Sequence, residues 1–270
     1  MGNKSKKSII CKYAVWEMLL FFLYFVISIF LLFITKSYLL IIAFIICYFV
    51  LIIIVEKILI NKLFFSVLYK DMDPEIFMLK SEKRESVFLR PHLVYFTPMF
   101  RILSTYYSGD YQTTVNICIK KLEYKFSNKC AYFLILSRVY FDIGDNEKLK
   151  TVCEKFRNYE KDSTKKIKDN TIKLFESYLK EDFDECEKIL EDSLSKQTSK
   201  TSNIVKMNQV FYTAAIKYYS GDKDTAKKLF EKVICEAPKL NYAKLSEKYI
   251  IAIDSSDKSV LSFPEILPEL

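Results

Sequence analysis

The residue types that most often do chemistry are sparse in this chain and poorly spaced for it. Its 270 residues include one histidine, His92, directly after Pro91. A histidine-dependent acid–base pair or a metal centre needs converging partners, and the spacing around His92 offers none. A structural or surface role is expected for it. The seven cysteines are Cys11, Cys47, Cys118, Cys130, Cys153, Cys186 and Cys235. Their number is odd and no C-x-x-C pair occurs, so neither a disulfide framework nor a zinc site fits. Free thiols buried as small apolar groups, in a reducing compartment, are expected instead. No glycine-rich phosphate loop is present. Adjacent acids such as Glu181-Asp182 and Glu191-Asp192 belong to the kind of charge run that solvates a helix face. No catalytic residue, metal site or cofactor is expected, and the chain is not read as an enzyme.

What remains is a surface, and the elements that would present it are helices. Four Gly and six Pro in the whole chain suit long helices with short turns. No run of alternating, β-branched strand segments is visible. The leading class is therefore all-α. Two uncharged apolar runs, Met18 to Ile34 and Tyr38 to Val55, are parted only by Thr35, Lys36 and Ser37. With its flanks each run reaches the roughly 20 residues that span a bilayer. The short break predicts a tight reversal, so residues 14–56 read as a transmembrane helical hairpin. A cleaved signal peptide would need small residues after the first run, and Phe33-Ile34-Thr35-Lys36 is a poor site.

Charge sets the orientation. Lys4, Lys6, Lys7 and Lys12 precede the hairpin, Lys57 and Lys62 follow it, and the reversal carries Lys36 alone. Positive flanks stay inside, which places both termini in the cytoplasm and two spans in a cell (inner) membrane. Glu17 and Glu56 fall at the inner ends of the spans, at headgroup level. Residues 1–62 carry a net charge of +5 and residues 63–270 only +3, so the larger part is charge-mixed and suggests no nucleic-acid partner. Residues 1–13 form a basic cytoplasmic N-terminus. Residues 57–90 form a juxtamembrane helical linker, in which Asp73-Pro74 reads as a cap and first position of a helix running to about Arg84. Residues 255–270, with Pro264 and Pro268, are expected to be an extended or mobile tail.

From Pro91 onward one pattern recurs. Its turns read Tyr106-Tyr107-Ser108-Gly109-Asp110, Tyr140-Phe141-Asp142-Ile143-Gly144-Asp145, Tyr178-Leu179-Lys180-Glu181-Asp182 and Tyr218-Tyr219-Ser220-Gly221-Asp222. Three have Gly at the break and all four have Asp after it. Gly accepts the left-handed conformation that ends a helix, and Asp caps the next one. Counted on the Asp, the steps are 35, 37 and 40 residues. A period of this size is the signature of stacked helical hairpins, none of which buries both its faces alone. Asp162–Lys166 and Ser195–Ser202 are expected as longer connecting loops. The stretch Leu240 to Ile253 would close the array as a terminal helix.

Residues 91–254 resemble the tetratricopeptide repeat family, an array of antiparallel helix pairs with a Gly-Asp-aromatic turn. The last copy matches best, with Ala226 at the family's small position, Phe230 at its large one and Pro238 at its closing Pro. Phe211, Ala214, Ala215 and Tyr218 fall on the preceding helix. The second copy aligns through Phe133, Leu136, Ser137 and Tyr140 but carries Leu149 and Cys153 on its second helix. The first has Thr114 and Cys118 there, and the third Cys186 and Leu190.

The resemblance implies a solenoid of about four repeats whose concave face is lined by the first helix of each pair. By position that face would comprise Thr97, Phe100, Ser104 and Tyr107 from the first copy, and Leu134, Arg138 and Phe141 from the second. The third would add Asp169, Ile172 and Glu176, and the fourth Gln209, Tyr212, Ile216 and Tyr219. These side chains either contact an extended peptide or partner helix, or fill the inside of a tight superhelix. The expected function is a membrane-anchored scaffold or adaptor, of bacterial type by its Lys-rich, Gly-poor usage, that binds a protein or peptide at the cytoplasmic face. A peptide-sensing regulator and an accessory subunit of an envelope or secretion assembly are the alternatives.

Overall fold

The computed structural model describes residues 26–27, 46, 50, 66–79, 97–124, 129–159, 165–198, 201–261 and 267–268. The chain divides into two compact units, Met1–Lys62 and Leu63–Leu270. In the first unit the described residues are 26, 27, 46 and 50, all helical. The expected transmembrane hairpin over 14–56 otherwise lies outside the described residues, as does the basic stretch 1–13. Among the described residues no helix is long and apolar enough to cross a membrane.

The second unit is all-helical among its described residues, with no strand. A short turn of helix, α1 (Ser66–Tyr69), precedes a helical stretch over 74–79. Then come α2 (Thr97–Ser108), α3 (Tyr111–Leu122), α4 (Lys129–Asp142), α5 (Asn146–Arg157) and α6 (Lys165–Leu179). They are followed by α7 (Phe183–Ser195), α8 (Asn203–Ser220), α9 (Lys223–Glu236) and α10 (Asn241–Ser255). A 3-10 turn at Lys258–Leu261 comes last. The last helix lies where Leu240 to Ile253 predicts it. Of the expected loop Asp162–Lys166 only Lys165 and Lys166 are described, and they open α6; of Ser195–Ser202, residues 196–198 and 201–202 lie between α7 and α8.

The four repeated turns share one backbone design. The residue before each capping Asp is left-handed: Gly109 at φ 89°, Gly144 at 75°, Glu181 at 58° and Gly221 at 96°. Each Asp side chain then accepts from the backbone N–H three residues on, at Thr113, Lys148, Glu185 and Thr225. That bond satisfies one of the N–H groups left free at a helix start. In the first three turns the Asp N–H also closes onto the carbonyl five residues back, at Thr105, Tyr140 and Ser177. The third copy lacks Gly, so Glu181 holds the left-handed conformation with a Cβ, which is strained. Glu181→Gly should therefore raise the unfolding free energy by about 0.5–1 kcal/mol. The check is a shift of the urea midpoint at unchanged slope, and an unmoved or lowered midpoint refutes it.

Each second helix buries one stripe. Four and eight residues past the cap stand Thr114 and Cys118, Leu149 and Cys153, Cys186 and Leu190, Ala226 and Phe230, all buried. Spacing of this kind keeps them on one face, which packs on the helix before. Along the first helices Phe133, Leu136, Ser137 and Tyr140, then Phe211, Ala214, Ala215 and Tyr218, are buried as well. Every helix from α2 to α10 packs on its neighbours in the chain. In addition α2 touches α10, and α8 touches both α10 and α1.

The linker helps make this seam. Asp73 caps the stretch 74–79 as expected, accepting from Ile76 N–H at 2.9 Å. Phe77 packs edge-on against Phe100 of α2 at 5.6 Å between ring centres, and Ser104 donates to the Pro74 carbonyl. From the other side Lys239 pairs with Asp73 at 2.6 Å, and Asn203 donates to the Lys70 carbonyl. These bonds tie the described part of the linker, 66–79, to α2, to the start of α8 and to the turn before α10.

Two expectations change. The tail is not simply extended or mobile. Leu267 is buried, Tyr140 donates to the Pro268 carbonyl at 3.0 Å, and Lys148 donates to that of Leu267 at 2.8 Å. Two hydrogen bonds hold residues 267–268 on α4 and α5. Among the cysteines on second helices, Cys118, Cys153 and Cys186 are buried, as is Cys130 on α4, but Cys235 is exposed. It lies on the outer face of α9, away from the buried stripe of Ala226, Phe230 and Val233. Burial raises the thiol pKa of Cys153 and Cys186 to about 12, which suits packing and not redox work.

Candidate binding site

Half of the fourteen positions implied for a concave face turn into packed interior. Phe100, Ser104, Tyr107, Phe141, Ile172, Tyr212 and Ile216 are buried. Leu134, Arg138, Gln209 and Tyr219 are half-buried. Thr97 opens α2, and Asp169 lies in the first turns of α6. Glu176 pairs with Arg157 of α5 across the helix pair. His92 lies outside the described residues. The aromatic rings fill one another's space: Phe141 meets Phe175, Tyr178 and Tyr212 at 4.8–5.3 Å between centres. Phe211 stacks on Tyr242 at 4.4 Å and Phe230 on Tyr249 at 4.7 Å.

A polar centre lies within this aromatic interior, and its key residue is Asp142. Counted back three residues from the capping Asp, the four turns carry Tyr107, Asp142, Leu179 and Tyr219. One copy thus sets a carboxylate where the others set an aromatic or apolar side chain. Asp142 is 4% exposed. Its Oδ2 accepts from Tyr106 of α2 at 3.0 Å and from Tyr111 of α3 at 2.9 Å. The Tyr106 hydroxyl also lies 2.6 Å from that of Tyr242 on α10 and 3.1 Å from that of Tyr212 on α8. A phenol has one proton to give. With that proton on Asp142, Tyr106 accepts from both other tyrosines. Asn241 donates to the Tyr111 hydroxyl at 3.0 Å. Hydrogen bonds from four other helices therefore run, directly from Tyr106 and Tyr111 or through them, toward one carboxylate oxygen.

The other oxygen, Asp142 Oδ1, is buried and has no hydrogen-bond partner. Burial drives the Asp142 pKa up to about 7, against the pull of the Tyr111 and Tyr106 hydrogen bonds and the Arg138 charge one turn earlier on α4. The phenols move in the same sense. Burial, with the nearby Asp142 charge, holds Tyr106 and Tyr111 well above the ordinary tyrosine value. Burial, then Tyr212 and Asp142, does the same for Tyr242.

A cavity of about 260 Å³ opens beside this centre. Asp142, Ile143 and Gly144 form one wall, Tyr218 and Tyr219 of α8 another, and Leu245, Lys248 and Tyr249 of α10 a third. Lys258 and Leu261 of the 3-10 turn complete it. The Tyr219 and Tyr249 hydroxyls are 3.2 Å apart. Among the described residues no group of three or more His, Cys, Asp or Glu side chains is placed to hold a metal ion. The arrangement offers acceptor chemistry and aromatic walls, with no nucleophile paired to a base.

No protein-family model, curated protein or solved structure matches this chain.

Of this centre, the sequence reading placed Tyr212 and Tyr219 on the inner face and set Arg138 beside them. It missed Asp142, Tyr106, Tyr111, Tyr242 and Asn241 as a cluster. The signal for Asp142 was present in the odd residue out three before the cap. Tyr242 and Asn241 carry no such signal, because they reach the centre only through the contact between α10 and α2.

Proposed function

We propose that the chain is a membrane-anchored adaptor. A two-helix hairpin over 14–56 holds a tetratricopeptide-like solenoid of four helix pairs at the cytoplasmic face, where it binds a protein or peptide partner. The single observation behind the reading is the fourfold recurrence of one turn, left-handed residue then capping Asp, at steps of 35, 37 and 40 residues. Such arrays offer an inner surface built from successive first helices. Val26, Ile27, Ile46 and Val50, helical and exposed as apolar side chains, support the anchor. Anchoring raises the effective concentration toward other membrane-bound partners. In this reading the protein binds and does not catalyse.

The test is site-specific photocrosslinking in cells. Crosslinkers at Leu134 and Gln209, half-buried on first helices, should capture the same partner. Crosslinkers at Lys150 and Lys232, exposed on second helices, should not. Equal capture at all four positions, or none at any, overturns the adaptor reading. The anchor is checked separately. Deleting residues 14–56 should release the protein from membranes that resist alkaline extraction, and a reporter fused after Leu270 should be active in the cytoplasm.

The cavity lined by Asp142, Tyr219 and Tyr249 favours one alternative, a regulator that senses a short peptide. A regulator of that kind would lose its response on filling the cavity while keeping membrane attachment.

A further inference from the structure

Residues 267 and 268 are held to the second helix pair by contacts of a particular kind. Two consecutive backbone carbonyls accept from two side chains. That of Leu267 accepts from the Lys148 ammonium at 2.8 Å, and that of Pro268 from the Tyr140 hydroxyl at 3.0 Å. Among the described residues no backbone–backbone hydrogen bond joins them to α4 or α5. Side-chain donors on successive carbonyls grip an extended segment that belongs to no sheet, because its carbonyls still need partners. The Leu-Pro pair suits this. Proline fixes its own φ and biases the residue before it toward an extended conformation, so little ordering entropy remains to be lost. Leu267 supplies a buried apolar anchor, 3% exposed.

The two donors are peculiar to the second copy. Counted five before and three after the capping Asp, the copies read Thr105 and Thr113, Tyr140 and Lys148, Ser177 and Glu185, Lys217 and Thr225. The second alone pairs a phenol with an ammonium. Its cap also holds the lysine in place: Asp145 accepts the Lys148 N–H on Oδ1 and pairs with the ammonium through Oδ2 at 3.2 Å. The repeat itself needs neither group, since the other three turns form without them.

We propose that Tyr140 and Lys148 form a docking site for an extended peptide with a large aliphatic residue before proline, filled by the chain's own Leu267-Pro268 until a partner's segment of that chemistry displaces it. The inference rests on the adaptor reading above for the existence of a partner, and names a segment that partner carries. Being part of the same chain, the tail competes at an effective concentration on the order of millimolar. A free segment therefore binds well only when the tail is released.

The experiment is fluorescence anisotropy on the full-length protein in detergent micelles. One labelled probe is the tail peptide Ser-Phe-Pro-Glu-Ile-Leu-Pro-Glu-Leu. The second has Asp for the Leu before the second Pro. The third, Gly-Ser-Ala-Leu-Pro-Ser-Gly, shares only the Leu-Pro pair. Leu267→Asp puts a charge at the buried anchor and frees the site. The tail peptide should bind this variant more tightly than the unaltered protein, and more tightly than the Asp peptide, by roughly 10-fold or more in each case. The third peptide should bind it within about 10-fold of the tail peptide. Adding Tyr140→Phe, which removes the hydroxyl and keeps the ring, should weaken the tail peptide by about 3-fold or more. Leu267→Ala should give the same ordering with a smaller gain, which keeps the inference testable if Leu267→Asp does not fold. Equal binding of the tail and Asp peptides overturns the inference, as does undiminished binding after Tyr140→Phe. Binding by the unaltered protein as tight as by the released variant overturns the competition. Binding of the tail peptide without the third peptide leaves an internal brace and overturns the assignment to a partner. The two readings fail separately. If Leu134 and Gln209 capture a partner although neither Leu-Pro peptide binds, the adaptor stands without this site. If both peptides bind while no partner is captured, the site stands without the adaptor.

Discussion

Raising the pH from 5 to 8 should lower the melting temperature of this protein by about 7 °C, and Asp142→Asn should remove most of that dependence. Asp142 has its folded pKa raised from 3.8 to about 7. Between those values the folded state binds more protons than the unfolded state, so stability falls as pH rises. The full effect is present below the unfolded pKa and is gone above the folded one. Of the roughly three pKa units, about two are lost between pH 5 and pH 8, or roughly 3 kcal/mol, and a unit of this size loses about 2–4 °C per kcal/mol.

The direction follows from which groups face the carboxylate. Tyr111, Tyr106 and Tyr212 stabilise the anion through neutral hydrogen bonds, and Arg138 adds a positive charge from its own helix. Burial still outweighs them, because Oδ1 has no donor at all. The exposed carboxylates of Glu185, Asp222 and Asp257, whose pKa values are lowered by local hydrogen bonds, act below about pH 4, outside this window. An ordinary histidine titrates inside it, so the comparison is made in a His92→Gln background. Melting followed by circular dichroism at five pH values decides the matter. A flat or rising profile in the reference protein would show that Oδ1 is solvated or paired in solution. An unchanged slope in Asp142→Asn would assign the dependence to another group.

The same carboxylate shows where sequence reasoning stops. Local signals were strong for the helix pairs. A left-handed position, a capping Asp and an apolar pair at four and eight residues past the cap are all short-range features, so Gly144-Asp145 with Leu149 and Cys153 can be read from a dozen residues. Even Glu181, which breaks the glycine rule, is placed by its Asp182. Which face of a first helix meets solvent is not local. Phe141 and Tyr212 were legible as inner-face residues, but their burial depends on rings from α6 and α10 that approach from 30 or more residues away. The contact between α10 and α2 depends in turn on accumulated small rotations from one pair to the next, which no single repeat encodes. Asp142, Tyr106 and Tyr242 therefore meet for reasons spread over the whole unit. The docked tail has the same origin: Leu267 and Pro268 find Tyr140 and Lys148 more than 100 residues away.

That long-range contact can be tested at one atom. Gly109→Ala should destabilise the protein by about 2–3 kcal/mol, against about 1 kcal/mol for Gly144→Ala and for Gly221→Ala. All three glycines are left-handed, so all three substitutions add the strain of a Cβ at positive φ. Only the surroundings differ. A Cβ on Gly144 or Gly221 would meet nothing within 4 Å, whereas one on Gly109 would lie 2.4 Å from Asn241 Oδ1 and 2.5 Å from its Cγ. Asn241 must then move. It is a short side chain, but its amide donates to the Tyr111 hydroxyl, which in turn donates to Asp142. Displacing it breaks a buried hydrogen bond and pulls the first turn away from the start of α10. The comparison cancels the backbone strain common to the three sites and leaves the cost of separating α10 from the turn after α2. The urea midpoints of the three variants measure that difference directly. If Gly109→Ala costs no more than the other two, the approach of Asn241 to the first turn does not hold the unit together. If it costs more, Asn241→Ala in the Gly109→Ala background should add little, because the bond it would remove is already lost.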